Sequence, residues 1–175
     1  PKDAEPILID ALERNERVLG PNHSNTLTCM NSLASVYRVT GRLAESEAMN
    51  RQVITRLRQS LPENHPNLLT SFGNLALVLE EQRKIDEALA TYEELYVRTR
   101  AAIDAKSLTP ASAYWMVAPF GVRLFKYGRY PQAEEPLLEG LQAIDAAQKK
   151  RSKRGIEILD ALAYTCEHNG KVDDA

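Results

Sequence analysis

Two cysteines in 175 residues, Cys29 and Cys166, are too few for a disulfide-stapled fold and fit a reducing compartment. Neither sign of charge dominates. Lys and Arg number 22 against 24 Asp and Glu, a net charge of −2, which argues against a protein built around phosphate-backbone binding. No apolar run approaches the roughly 20 residues of a membrane helix, and no signal-peptide pattern opens the chain. A phosphate-cradling glycine loop, a nucleophile elbow and a metal triad are all missing, so no catalytic residue, metal ligand or cofactor is assigned. What is there is a 43 % apolar content, enough for a core. These features predict a cytoplasmic, non-enzymatic chain that touches neither nucleic acid nor membrane. The chain opens at Pro1 without an initiator methionine and stops at Ala175 just after a turn signal, so it reads as a fragment of a longer protein.

A repeat runs through it. Gly41-Arg42-Leu43-Ala44-Glu45-Ser46 returns as Arg83-Lys84-Ile85-Asp86-Glu87-Ala88, then as Gly128-Arg129-Tyr130-Pro131-Gln132-Ala133, and last as Gly170 to Ala175. The closing small residue falls at 4, 46, 88, 133 and 175, so the steps are 42, 42, 45 and 42 residues. Apolar columns keep the same steps: Leu27, Leu69, Tyr114, Ile156; Met30, Phe72, Val117, Leu159; Leu33, Leu75, Phe120, Leu162; Ala34, Ala76, Gly121, Ala163; and Tyr37, Leu79, Leu124, Cys166. Nineteen of these twenty are apolar, which chance does not supply in a chain that is 43 % apolar.

Within one copy the columns lie at i, i+3, i+6, i+7 and i+10, one face of an α-helix. This helix A is predicted at 25–40, 67–82, 110–127 and 153–169. A second amphipathic helix, B, is predicted at 4–19, 44–60, 86–104 and 131–149. Its apolar face is Ala4, Ile7, Leu8, Ala11 and Leu12 in the first copy and Met49, Val53, Ile54 and Leu57 in the second. The A-to-B turn is three or four residues long, which makes the two helices antiparallel neighbours. Glycine stands where the chain leaves helix A (Gly41, Gly128, Gly170), and Arg83 in its place predicts a costlier left-handed or open turn. Ser46, Ala88 and Ala133 are expected to face Ala34, Ala76 and Gly121. The loop at 105–110 is expected to absorb the three extra residues, and Pro119 to kink its helix.

The pattern Leu33-Ala34-x-x-Tyr37-x-x-x-Gly41-x-x-x-x-Ser46 and its later copies resemble tetratricopeptide repeats. The 42-residue period, the loops Leu19-Gly20-Pro21-Asn22-His23 and Leu61-Pro62-Glu63-Asn64-His65-Pro66, and the segments Asn31-Ser32-Leu33-Ala34 and Gly73-Asn74-Leu75-Ala76 are similar to the kinesin light chain type. The resemblance implies an all-α, right-handed α-solenoid of antiparallel pairs, about eight helices forming one array over 1–175. Its A helices would line a concave groove that binds a protein or peptide segment. Related arrays are attached to signalling kinases and ATPases, so a regulatory or spacer role in a larger enzyme is the alternative. Self-association through the apolar array ends is a further expectation.

Helix A residues off the buried columns are the groove candidates. In the first copy these are Thr28, Asn31, Ser35 and Arg38; in the second Thr70, Gly73, Asn74, Leu77 and Glu80. The third supplies Trp115, Ala118, Val122, Phe125 and Lys126, and the fourth Glu157, Asp160, Tyr164 and Glu167. Trp115 is the sole tryptophan and a candidate anchor, with packing under the neighbouring loop as the other reading. Asn31 and Asn74 suit hydrogen bonds to a partner's main chain, or to neighbouring helices. Arg38 and Lys126 suit acidic groups, or solvent. His23 and His65, 42 apart, are read as loop histidines ahead of helix starts rather than metal ligands. The basic run 149–154 is read as a solvated helix end.

Overall fold

The computed structural model describes residues 4–147 and 152–169. Among them are eight α-helices and no strand: α1 Ala4–Leu19, α2 Ser24–Val39, α3 Leu43–Arg58, α4 Pro66–Glu81, α5 Ile85–Asp104, α6 Pro110–Lys126, α7 Tyr130–Ala146 and α8 Lys153–His168. These match the expected A and B helices to within one or two residues wherever both ends are described. The chain divides into two compact units, Pro1–Thr91 and Tyr92–Ala175.

In the first unit α1 packs on α2, α2 on α3 and α3 on α4. The core is built from the repeat columns: Leu27, Met30 and Leu33 of α2, Leu69, Phe72, Leu75 and Leu79 of α4, and Val53, Ile54 and Leu57 between them on α3 are all buried. The close crossing of α2 and α3 is made by small residues. Ser46 is fully buried and donates its hydroxyl to the Ala34 carbonyl at 2.7 Å.

The A-to-B turns share one hydrogen-bond pattern. The N–H of Arg42 donates to the Tyr37 carbonyl at 2.8 Å and that of Gly41 to Arg38 at 3.1 Å. Lys84 to Leu79 and Arg83 to Glu80 repeat it at 3.0 Å each, as do Arg129 to Leu124 at 2.8 Å and Gly128 to Phe125 at 3.0 Å. The residue at the cap is left-handed each time, with φ of 81° at Gly41, 73° at Gly128 and 64° at Arg83. The turn geometry therefore holds even where glycine is absent, and Arg83 carries the strain. A left-handed L-residue costs roughly 1–2 kcal/mol, and glycine's freer unfolded chain gives back about 0.4–1 kcal/mol of that. Arg83→Gly is expected to stabilise the protein by about 0.5–1 kcal/mol. Urea unfolding with a lower midpoint for the variant would contradict this.

The three extra residues of the third copy do not lengthen the loop at 105–110, contrary to expectation. They lengthen the helix: α5 has 20 residues where α3 has 16, and only residues 105–109 separate it from α6. A left-handed cap at Lys106 (φ 56°) stops α5, with Ser107 N–H donating to the Ala102 carbonyl and Lys106 N–H to Ile103, both at 2.9 Å.

In the second unit α6 packs on α7, and α8 on both. α6 runs on through buried Pro119 to Lys126. Gly121 of α6 lies close against α7. A Cβ built on it would stand 2.7 Å from the Leu137 nitrogen and 2.9 Å from the Pro136 carbonyl carbon, so the backbone of α7 leaves room for glycine alone.

The fourth copy departs most from its columns. Ile156 and Leu159 are 52 % and 41 % exposed, and Ala163 is exposed too. α8 instead buries Gly155, Ile158, Ala161 and Thr165. In the first and third copies helix A packs against the following B helix, α2 on α3 and α6 on α7, and among the described residues no helix follows α8. At the other end, Ile7 of α1 is 70 % exposed for the complementary reason. The side chain of Tyr114, and the turn at Gly170, lie outside the described residues.

Candidate partner-binding surface

The first unit holds a cavity of about 730 Å³ beside the N-terminal halves of α2 and α4. Four of the groove candidates, Thr28, Asn31, Ser35 and Thr70, line it, over a floor that includes Leu27, Leu57 and Leu61. Among the described residues no carboxylate, lysine or arginine borders it. The hydroxyls of Thr28 and Thr70 are donated to their own helices, to the Ser24 and Pro66 carbonyls at 2.9 Å each, so their oxygens face the cavity as acceptors.

His23 and His65 stand at the rim of this cavity, one repeat apart. Each is the N-cap of its helix. His23 Nδ1 accepts from the Asn25 N–H, and His65 Nδ1 from the Asn67 N–H, both at 3.2 Å. An accepting Nδ1 places the proton of the neutral ring on Nε2. The recurrence of these histidines thus reflects helix capping. His65→Ala is expected to cost about 0.5–2 kcal/mol, and His65→Asp, a strong capping residue, to hold or raise stability. Equal urea midpoints for wild type and His65→Ala would remove the capping role.

A smaller notch of about 50 Å³ lies between α2, α3 and α4, bordered by Asn31, Ser35, Arg38, Asn74 and Leu77. The Arg38 guanidinium is engaged by Glu81 at 2.6 Å, so its charge is met within the protein. All but Gly73 and Glu80 of the groove candidates in the first two copies therefore line two depressions in one unit.

The second unit supplies an aromatic surface. Trp115 is 37 % exposed on α6, and Val122 is half-buried on the same helix. Phe125 meets Tyr164 of α8 edge-on, with ring centroids 5.4 Å apart. Lys126 is exposed, its Nζ 5.0 Å from the Tyr127 ring centroid. Ala118, expected on the groove face, is instead fully buried: a Cβ on Gly140 of α7 would stand 3.1 Å from its Cα, and the bare glycine lets α7 close over it.

Tyr130 and His168 complete the cluster and were not among the candidates. Tyr130 lies 5.7 Å from Phe125 and 5.4 Å from Tyr164, while His168 stacks on Tyr164 at 3.7 Å and 17°. The i, i+4 spacing of Tyr164 and His168 on one helix was the signal available in the sequence. Desolvation and a hydrogen bond with Tyr130 push the Tyr164 phenol above its ordinary value. Of the basic run, 149–151 lie outside the described residues. Lys153 begins α8 behind its N-cap Ser152, whose hydroxyl accepts from the Gly155 N–H at 3.2 Å.

Stacked helix hairpins with a uniform cap, a repeated small-residue crossing and a polar depression on the A-helix face define a helical repeat protein of the solenoid class. The tetratricopeptide repeat family model matches residues 1–59 and 31–96, and the chain belongs to that family. Its fold is that of kinesin light chain-type arrays. The nearly identical TPR-like repeats of a Podosopora anserina protein assigned as a kinesin light chain superpose with a TM-score of 0.75 at 21 % identity, over 97 % of this chain and 79 % of that one; a crystal structure of a single-substitution variant of the same repeats gives the same values. BtubC (BKLC) from P. vanneervenii superposes with a TM-score of 0.77 at 16 % identity, over 98 % of this chain and 67 % of that one. No curated protein matches the sequence. Repeats of this family are generally protein-interaction scaffolds, typically without catalysis. No described helix is long and apolar enough to cross a membrane.

Proposed function

We propose that this chain is a non-catalytic, cytoplasmic scaffold that binds a segment of a partner protein along the exposed faces of its A helices. The observation that carries the reading is the 730 Å³ cavity of the first unit, lined by Thr28, Asn31, Ser35 and Thr70, the very columns left over once the core is accounted for. The adjoining notch adds Arg38, Asn74 and Leu77. An apolar floor with convergent uncharged polar groups suits a polypeptide, whose main chain offers donors and acceptors at every residue. Trp115, Val122, Phe125 and Tyr164 offer aromatic and apolar contacts on the second unit with Lys126 beside them, and tryptophan and tyrosine are among the residue types that dominate binding energy. The two free cysteines accord with a reducing compartment.

The test begins with affinity capture and mass spectrometry to identify a partner, followed by titration of that partner against wild type and the double variant Asn74→Ala, Trp115→Ala. Affinity is expected to fall by about tenfold or more while circular dichroism stays the same. A folded double variant that binds as tightly as wild type would remove the groove assignment.

A further inference from the structure

Asn50 interrupts an apolar column. The equivalent positions in the other copies hold Leu8, Tyr92 and Leu137, and the last two are buried. Asn50 is only 1 % exposed. Its Nδ2 donates to the Ser46 carbonyl at 2.9 Å. That bond fixes the amide, because the flipped form would set Oδ1 against a carbonyl oxygen. Oδ1 is thus turned away from Ser46, and it accepts no hydrogen bond within the protein. Asn50 borders the notch between α2, α3 and α4. Asn31 of α2, which borders the same notch, also has an enclosed Oδ1 that accepts nothing. An enclosed acceptor left unmet is costly, and a leucine here, as at position 137, would avoid that cost.

We infer that Asn31 and Asn50 form a subsite for a primary carboxamide, the side chain of an asparagine or glutamine in the bound segment. This rests on the groove reading above and adds its specificity. The two N–H groups of a carboxamide match the two acceptors. A carboxylate would bring acceptors to acceptors. A notch of about 50 Å³ holds a group of a few heavy atoms and excludes an aromatic ring.

Two measurements test it. In the isotope-labelled 175-residue chain, acetamide should shift the side-chain amide resonances of Asn31 and Asn50 saturably. Acetone, equal in size but without N–H donors, should bind more weakly by about tenfold or more. The acetamide response should vanish in Asn50→Leu. If acetamide and acetone act alike, or neither binds, the subsite does not exist. Separately, peptides selected from a random display library on wild type should share an asparagine or glutamine and lose about tenfold in affinity on Asn50→Leu. Peptides that need Asn74 but ignore Asn50 overturn the subsite and leave the groove standing. Peptides indifferent to Asn74 sink the groove reading itself, and the acetamide titration then still decides whether the notch takes a carboxamide.

Discussion

Gly121→Ala should destabilise the second unit by about 1–3 kcal/mol, although alanine is the better helix former by about 1 kcal/mol. The added methyl carbon would stand 2.7 Å from the Leu137 nitrogen and 2.9 Å from both the Leu137 Cγ and the Pro136 carbonyl carbon. Two of those three atoms belong to the backbone, so no rotamer change relieves the clash; α6 and α7 would have to part. They are not free to do so cheaply. Ala133, Leu137 and Ile144 of α7 are fully buried, and Val117, Phe120 and Leu124 of α6 are nearly so. The equivalent crossing in the first unit holds Ala34, whose carbonyl accepts from the Ser46 hydroxyl at 2.7 Å. Urea unfolding followed by far-ultraviolet dichroism measures the difference. An unchanged or raised midpoint for Gly121→Ala would mean that α6 and α7 separate easily, and that glycine here serves something other than close packing.

The helices were legible because two signals agree at each end of them. Apolar columns set the period, and glycine or a loop cap sets the stop. The same logic told of the strained turn at Arg83, since the repeat requires a left-handed residue whatever side chain stands there. Tertiary context decided the rest. Ala118 sits on the expected groove face by spacing alone, yet Gly140, twenty-two residues later, lets α7 cover it. The insertion of three residues leaves no mark saying whether a loop or a helix takes it, and the cap at Lys106 settles that. The groove candidates of the first two copies gather round the two depressions because they share one periodicity. Tyr130 was missed because it sits on a B helix, where nothing in the repeat pattern marks a functional face. Asn50 was visible as a polar residue in an apolar column, but only its enclosed, unmet oxygen gives that interruption a chemical meaning.

Column membership alone would assign Leu69 and Ile156 the same worth, and the structure separates them sharply. Leu69 of α4 is 0 % exposed and Ile156 of α8 is 52 % exposed. Leu69→Ala leaves a cavity on a helix whose Leu68, Phe72, Leu75 and Leu79 are buried as well. The lost transfer energy and the unfilled space together predict a cost of about 2–5 kcal/mol. Ile156→Ala removes side-chain carbon that water already reaches, so its cost is expected to stay within about 0.5 kcal/mol, with alanine's helix propensity acting in its favour. Paired urea titrations of the two variants give the comparison directly. Leu69→Ala near wild type would show that the core of the first unit collapses readily around the loss. A cost for Ile156→Ala approaching that of Leu69→Ala would show that the α8 face is covered in solution, and dilution would then separate the sources: a midpoint that falls with protein concentration marks a second copy, and one that holds marks the chain's own residues.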